Sequence, residues 1–548
     1  MLKVLSTPNK GKETNSKAIR LTLETFWPAL FFLLILLLGI FIFPHYGIST
    51  DERIDYLTGL VNARYVVETI SPEALSKIPY LAQVPELSTY SDRHYGVFFQ
   101  LPASILPHLF GFSDVRDIYL FRHFFTFLFY FGALLAFYKI LQQRFLNWRI
   151  ALLGSLMLVL SPRIFADAFF NSKDIVFLAL MAGGWYTLNN LRKHFTYKWA
   201  ILHAIITAAA LDTRIMALSL LALSGLWLAH ELFYATSNRK RLQIFRCGIV
   251  FTLFLAGFTI LFWPYLWSAP LAHFLEVFEK LDRGGSTFDV LYWGEFIPYH
   301  TLPWHYIPTW LIITTPLLYS LLFLPGLLAI VARAFRQKLA FIHKEENKQD
   351  LSALFFFFFP LAIVIYTNAI LYDGWRHMFF IYIPFLYLAM LGMVRLYSWL
   401  YANNRNLWQA RSGQLLIACV LVGLGHTAWK MIQMHPHQNV YFSFMQPKFV
   451  VKNFERDYWG LSYRKALEYI LRTDPRKEIP IAVNVYSGIN ASDILYPEQR
   501  SRLKFVITHE ADYFLTEYRW QRNFYPTWEE IFTVKPAGLK IMSVYKLK

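Results

Sequence analysis

Apolar runs recur along most of the chain at the length needed to cross a membrane. Between Phe26 and Met431 the sequence repeatedly holds stretches of Leu, Ile, Val, Phe and Ala, separated by short polar segments. A bilayer core of about 30 Å needs roughly 20 helical residues. The pattern therefore predicts an α-helical, polytopic membrane protein with about eleven transmembrane helices.

The polar segments divide the chain into parts. Residues 1–25 are a basic N-terminus, and residues 26–431 are the transmembrane domain, which includes a long acidic outer loop over 45–117. In that loop, Asp55 to Ile70 and Val97 to Leu109 have mixed polar and apolar faces, which predict short helices along the membrane surface.

Residues 432–548 are less apolar than the rest of the chain. A helical pattern over 461–472 and the strand-like segments IPIAVNVYS and LKFVITH predict a small C-terminal α/β soluble domain. An odd number of crossings places this domain on the outer side if the N-terminus is cytoplasmic.

Two of the expected crossings contain polar interruptions. The run from Ile150 to Ser161 has only about twelve residues, which is too short to cross alone. The following segment, SPRIFADAFFNSKD, is therefore predicted to be sunk below the outer surface, where it lines a cavity between helices. Asp212, Thr213 and Arg214 interrupt a second pair of runs in the same way.

The basic residues lie in alternate loops. A net charge of +17 would suit a nucleic-acid-binding protein only if the charges shared one folded face. Here they follow every second apolar run, so the positive-inside rule predicts cytoplasmic loops and no nucleic-acid partner. The basic segments are 141–149, 191–198, 239–241, 333–338 and 405–411.

The chain has two cysteines, Cys247 and Cys419. This number excludes a disulfide framework and a thiolate metal site.

Ionisable residues accumulate on the predicted outer face. Such groups are costly at membrane depth and usually line a functional cavity. Carboxylates can act as general bases, and cations can stabilise a phosphate leaving group, so the set suits a reaction on an anionic, lipid-linked substrate. Its members are Asp51, Glu52, Arg163, Asp167, Lys173, Asp174, Asp212, Arg214, Asp373, Arg376 and His377.

The order of these features resembles that in a known superfamily. Asp51 and Glu52 open a long outer loop after the first helix, and SPRIFADAFFNSKD, LPWHY and YDGWRH follow in turn. Over about residues 20–400 this order resembles the GT-C superfamily of membrane glycosyltransferases. It is most similar to the protein O-mannosyltransferase and aminoarabinose-transferase type, especially its bacterial members. RDYWGLSYRKALEYI resembles the start of the C-terminal region in some of these.

The resemblance implies an inverting glycosyltransferase in the bacterial inner membrane, with its active site on the periplasmic face. It would move a sugar from a polyprenyl-phosphate carrier to an acceptor hydroxyl of a protein, lipid or glycan. Asp51 would be the general base, with Glu52 beside it. Asp174 would match the acid of the second outer loop, with Asp167 as a competing candidate. No cofactor is certain, and a divalent metal is possible.

Several outer-face residues are candidates for donor binding. Arg376 and His377 could contact the phosphate by charge and position. The donor-binding set also includes Arg163, Lys173, Arg214, Trp304 and His305, besides Asp174 and Asp167.

Each assignment has an alternative. Asp51 and Glu52 could be solvated loop acids, Asp174 could cap a helix, and Arg376 could extend to lipid headgroups. Trp304 and His305 could belong to an interfacial aromatic belt. The pair His435 and His437 lacks a third ligand for a metal.

A transporter or flippase of a lipid-linked saccharide is the alternative function. It would also need many helices and a charged cavity. Transporters often show internal repeats that relate two halves of the chain, and none is evident in this sequence. A receptor would leave the acids after the first helix unexplained. The asymmetric arrangement, with one long outer loop and a terminal domain, favours an enzyme.

Overall fold

The computed structural model describes residues 13–281, 289–402, 407–519, 525 and 527–548. Lys3, Lys10 and Lys12 of the expected basic N-terminus, and Arg405, lie outside these residues. Twelve helices form the first part of the chain: α1 Glu13–Ile42, α2 Glu52–Ile70, α3 Pro72–Leu75, α4 Pro79–Ala82, α5 Gln100–Leu109, α6 Val115–Phe145, α7 Trp148–Val159, α8 Pro162–Phe170, α9 Asp174–His194, α10 Tyr197–Thr213, α11 Leu218–Phe233 and α12 Asn238–Phe262.

The second part mixes helices and strands. Its helices are α13 Pro270–Leu281, α14 Tyr306–Thr314, α15 Leu317–Gln337, α16 Glu345–Tyr366, α17 Tyr382–Ala402, α18 Leu407–Met434, α19 Pro447–Asn453, α20 Tyr463–Thr473, α21 Ser487–Asn490 and α22 Pro497–Arg500. Its strands are β1 Asp289–Tyr292, β2 Glu295–Pro298, β3 Ile479–Val483, β4 Leu503–Phe505, β5 Tyr513–Thr516, β6 Glu529–Val534 and β7 Met542–Lys546.

The chain is an integral membrane protein. In the described residues, eight helical segments are long and apolar enough to cross a membrane, and the bent pair α7 and α8 makes up to nine. The sequence predicted about eleven crossings, and a helix forms at each of them. Two of these eleven helices are not among the nine segments: α10 has only 17 residues, and the last turns of α9 carry the polar residues Asn189, Asn190 and Arg192.

The short run at Ile150 ends in a sharp bend, as its length predicted. α7 and α8 meet at an angle of 70°. Pro162 starts α8 because proline has no N–H to continue the preceding helix but fits the first helical turn. All nine residues of α8 are buried. The carbonyl of Leu160, freed at the break, accepts a hydrogen bond of 3.0 Å from the Tyr319 hydroxyl.

Ion pairs gather at one end of the bundle, where the basic loops lie. Asp350 of α16 accepts hydrogen bonds from Arg144 at the end of α6 and pairs with Arg333 of α15. Near it, Glu231 pairs with Arg192 and Lys348. A helix of 31 residues such as α6 is about 46 Å long, so these pairs lie far from its acidic N-terminus.

The C-terminal part contains a five-stranded sheet in the order β4-β3-β5-β7-β6. β3 is parallel to β4 and β5, whereas β7 is antiparallel to β5 and β6. The expected helix and the two expected strands correspond to α20, β3 and β4. Ile48 and Tyr119 from the membrane domain belong to the same apolar cluster as this sheet, so the two parts share a core.

Candidate active site

Asp51 lies in a tight turn between α1 and α2. The turn is fixed because the Thr50 N–H donates to the Trp459 carbonyl at 3.0 Å. The Asp51 side chain is 33% exposed, and its Oδ2 accepts a hydrogen bond of 2.9 Å from Arg376. Within the described residues its Oδ1 has no hydrogen-bond partner. One carboxylate oxygen is thus held and the other is available.

Glu52 is buried on the inner side of the same turn. Its Oε2 accepts from the Ser49 N–H at 2.6 Å, and its Oε1 lies 3.0 Å from Nε2 of His123. These contacts link α2 to the turn before it and to α6. Glu52 is therefore neither a solvated loop acid nor directed to the same space as Asp51.

Arg376 is enclosed by carboxylates and aromatic rings. Its NH1 lies 2.9 Å from Asp51 and 3.6 Å from Asp174, and its NH2 lies 3.3 Å from Asp373. The guanidinium also stacks over Tyr372 and Trp459, at 5.0 and 4.7 Å from the ring centres. With 4% of its side chain exposed, Arg376 does not extend to lipid headgroups.

Asp174 is the acid of the sunken segment that joins this cluster. Its Oδ1 pairs with Arg214, at the end of α10, and its Oδ2 faces Arg376. Asn171 donates from Nδ2 to Asp174 and also to Asp167, at 3.0 and 2.9 Å. Asp167 is thus connected to the cluster through Asn171. Asp174 does more than cap α9, because two arginines contact it.

Lys173 is held beside Asp51 by a carboxylate that was not among the expected site residues. Its Nζ lies 2.6 Å from Oδ1 of Asp55 and 4.9 Å from the centre of the Tyr95 ring. The Asp55 Oδ2 accepts from Ser172 and Gln100 at 2.7 and 3.1 Å. The side chain of Lys173 is 26% exposed, and that of Arg214 is 22% exposed. These two cations are therefore more exposed than Arg376, whose side chain is 4% exposed.

Electrostatic interactions keep Asp51 and Lys173 charged. Burial opposes ionisation of Asp51, but Arg376 and Lys173 outweigh it, and the pKa of Asp51 is lowered from its usual value. Burial likewise lowers the pKa of Lys173, but the neighbouring Asp55 and Asp51 reverse the effect and raise it. Both groups are ionised at neutral pH.

The C-terminal domain closes one side of the cluster. Arg519 donates from NH2 to Asp373 and from NH1 to the Tyr458 carbonyl, both at 2.7 Å. Trp459 supplies a ring against Arg376. Neither Arg519 nor Trp459 was among the expected site residues.

Three of the expected donor-binding residues, Arg163, Trp304 and His305, make their contacts outside the Asp51 cluster. Arg163 is buried, donates to the Tyr441 carbonyl and stacks over Trp310 and Phe442. Trp304 is exposed, and Nδ1 of His305 lies 2.7 Å from the Tyr292 hydroxyl. His377 is different, because it follows Arg376 in the chain, packs edge-on against Tyr372 and interacts electrostatically with Arg376, Arg214 and Lys173. Their part in donor binding stays a prediction.

The possible metal has no evident ligand set. In the part of the chain that the structure describes, no group of three or more His, Cys, Asp or Glu side chains is arranged to hold an ion. His435 pairs instead with His45, at 2.7 Å between ring nitrogens.

No family model and no curated protein matches the chain. Among solved structures, it is similar to ArnT from Cupriavidus metallidurans in the apo state (13% identity, TM-score 0.49) and bound to undecaprenyl phosphate (13%, 0.46). Each match covers 95% of this chain and 98% of ArnT.

A third similar structure is the oligosaccharyltransferase AglB from Archaeoglobus fulgidus, in complex with an inhibitory peptide and a dolichol-phosphate. This match has 11% identity and a TM-score of 0.44, and it covers 90% of this chain and 69% of AglB. These proteins are GT-C enzymes, the class that the order of motifs resembles.

Proposed function

We propose that this protein transfers a sugar from a polyprenyl-phosphate carrier to an acceptor hydroxyl, with Asp51 as the general base. The arrangement of Asp51 carries the proposal: one oxygen is fixed by Arg376 and the other has no partner among the described residues. Two partly exposed cations, Lys173 and Arg214, belong to the same cluster.

The chemistry needs both kinds of group. As the acceptor oxygen attacks the anomeric carbon, Oδ1 of Asp51 takes the hydroxyl proton. The bond from the anomeric carbon to the phosphate oxygen breaks, and its electron pair leaves with the phosphate. Attack from the face opposite the phosphate inverts the anomeric centre. Cations close to the departing oxygen stabilise the charge that develops there.

Lys173 and Arg214 are the proposed phosphate contacts. Both are partly exposed, whereas Arg376 is buried among Asp51, Asp174 and Asp373. We assign Arg376 to positioning Asp51, because its guanidinium holds Oδ2 and leaves Oδ1 directed elsewhere. A planar guanidinium can engage several carboxylates at once, which a lysine cannot do with the same geometry.

The site would face the periplasm of a bacterial inner membrane. Support comes from the charges: the basic loops of α6, α9 and α15 gather around Asp350 and Glu231, at the other end of the bundle from Asp51. The positive-inside rule makes that basic end cytoplasmic.

The test is to incubate the purified protein in lipid nanodiscs with a panel of polyprenyl-phosphate sugars and a membrane extract as the source of acceptors, and to follow the release of polyprenyl phosphate. Asp51→Asn keeps the shape of the side chain but cannot take the proton, so release should fall by about 10² to 10⁴, the usual contribution of a general base. Asp117→Asn, an exposed acid outside the cluster, is the matched control and should keep the wild-type rate.

A transporter would bind the same carriers but leave the sugar attached. Binding of a carrier without release of polyprenyl phosphate, in the presence of membrane extract as a source of acceptors, would support transport instead. Full activity in a folded Asp51→Asn variant would remove Asp51 as the base and move the role to Asp174 or Asp167.

A further inference from the structure

A polar groove lies between the end of α18 and strand β6. It encloses about 510 Å³, including space open to solvent, and is bordered by Gln433, His435, His437, Lys465, Thr533 and Lys535. None of the residues of the Asp51 cluster lines it.

The groove is positively charged. Lys465 and Lys535 both line it, and in the described part of the chain no carboxylate lies within 4.0 Å of either ammonium. Glu468 is the acid that interacts with Lys465 over a longer distance, but its carboxylate is engaged by Arg464 at 2.9 Å. No acidic side chain is among the described residues that line the groove.

His437 gives the groove an unsatisfied polar group. Its side chain is 2% exposed, and neither ring nitrogen has a hydrogen-bond partner within the described residues. Burial and the nearby Lys465 lower the pKa of His437 to about 3, so the ring is neutral and keeps one N–H to donate. A buried donor without a partner costs about 1–3 kcal/mol, which a bound acceptor would relieve.

The groove also lies at the level of lipid headgroups. Met434 ends both α18 and the candidate membrane span that begins at Arg411. Trp429 and Ile432, in the last turns of α18, are exposed large side chains of the kind that face lipid near the interface. A lipid lying against these residues would bring its headgroup to His437 and Lys465.

We propose that this groove binds the phosphate group of a membrane lipid, through the ammonium groups of Lys465 and Lys535 and the imidazole N–H of His437. A phosphate offers several acceptor oxygens and a negative charge, which match two cations and a donor with no acid among them. Recognition of lipid phosphates by basic pockets beside membrane helices follows the same chemistry.

The test is a titration of the detergent-solubilised full chain with short-chain phosphatidic acid, followed by calorimetry. Lys465→Gln and Lys535→Gln should each weaken binding on the order of tenfold, the effect of losing one charge-assisted hydrogen bond. Lys504→Gln, an exposed lysine on β4, is the matched control and should leave binding unchanged. Because Lys535 is exposed, its variant should fold normally.

Two further ligands identify the source of the phosphate. Short-chain diacylglycerol, which lacks phosphate, should not compete. Inorganic phosphate that competes, with the same sensitivity to Lys465→Gln, shows that the phosphate alone is recognised; failure to compete shows that the lipid chains contribute. Phosphatidic acid that bound a Lys465→Gln, Lys535→Gln double variant as tightly as the wild type, or failed to bind the wild type, would overturn the proposal.

Discussion

At the scale of single residues, Asp51 and Glu52 are neighbours with different surroundings. Glu52 is buried against Ser49 and His123, whereas Asp51 is partly exposed beside Arg376. Glu52→Gln should therefore lower the free energy of unfolding by about 1–3 kcal/mol, since one of the two buried acceptor oxygens beside Ser49 and His123 is replaced by an NH₂ group. Turnover should fall much less than in Asp51→Asn.

Thermal unfolding and sugar transfer, measured on the same preparation, check this prediction. Glu86→Gln changes an exposed glutamate of the same outer region and serves as the control. A Glu52→Gln protein with unchanged stability and turnover as low as that of Asp51→Asn would instead make Glu52 a partner in the chemistry.

Arg376 should set the pH range of the reaction. Among the charges that lower the pKa of Asp51, Arg376 has the largest effect, so Arg376→Gln should raise that pKa. A base with a higher pKa becomes protonated sooner as the pH falls, so the acidic limb of kcat/KM should move to higher pH. Arg376→Lys, which keeps the charge without the planar fork, should move it less.

The pH dependence of kcat/KM, together with donor affinity, tests the assignment of Arg376. Arg116→Gln, which removes a partly buried arginine that pairs with Asp117 and lies outside the Asp51 cluster, should leave the limb in place. An unmoved acidic limb with donor affinity weakened by about 1.5–3 kcal/mol would make Arg376 a direct phosphate contact.

Some of the site could be predicted from the sequence and some could not. Asp55 follows Asp51 by four residues at the start of α2, so the two side chains lie on the same face of the helix. The place of Asp55 in the site could therefore have been predicted from the sequence. Arg519 is different, because it reaches Asp373 across 146 positions of the chain. No local pattern links the two, and their pairing depends on how the C-terminal domain docks.

At the scale of secondary-structure elements, hydropathy predicted the presence of the helices more accurately than the residues at which they begin and end. The sequence pattern predicts a seventh membrane helix over about 247–267, but the corresponding helix, α12, starts at Asn238, where Ser237 caps it. Its first turns are basic and reach water, so they are helical without being apolar. The sequence also predicts an outer loop over 269–307, but this segment contains the amphipathic helix α13 and the β1–β2 hairpin, whose strands of four residues are too short to give a clear periodicity.

The crossing of α15 and α17 depends on two glycines. A Cβ at Gly392 would lie 2.0 Å from the Leu322 carbonyl oxygen, and one at Gly326 would lie 1.9 Å from that of Leu388. Small residues allow membrane helices to approach this closely. Gly392→Ala should force the helices apart and destabilise the fold by about 1–3 kcal/mol.

Thermal unfolding in detergent measures the effect of this substitution. Gly248→Ala provides the matched control, because nothing lies within 4 Å of the added Cβ in α12. Equal unfolding midpoints for the two variants would show that the crossing is not as tight as these distances indicate.

At the scale of the whole molecule, the C-terminal sheet and the outer loop act as one unit. Ile48 and Tyr119 pack into the core of the sheet, and Arg500 of α22 pairs with Asp114 at 2.8 Å. Hydropathy marked the boundary near residue 432 because the apolar runs stop there. It could not reveal that the sheet packs back onto the site, since that depends on contacts between distant parts of the chain.

This packing requires the outer loop and the C-terminal domain to share one side of the membrane, and the charge bias predicts that this side is outside the cell. Single cysteines at exposed positions test both statements, in a background without Cys247 and Cys419. Ser91→Cys and Lys504→Cys should react with a membrane-impermeant maleimide on intact spheroplasts. Thr236→Cys, beside the basic segment before α12, should react only after permeabilisation. Labelling of Ser91→Cys but not of Lys504→Cys would show that the C-terminal domain and the outer loop lie on opposite sides of the membrane. Labelling of Thr236→Cys alone would show that the orientation is the reverse of the predicted one.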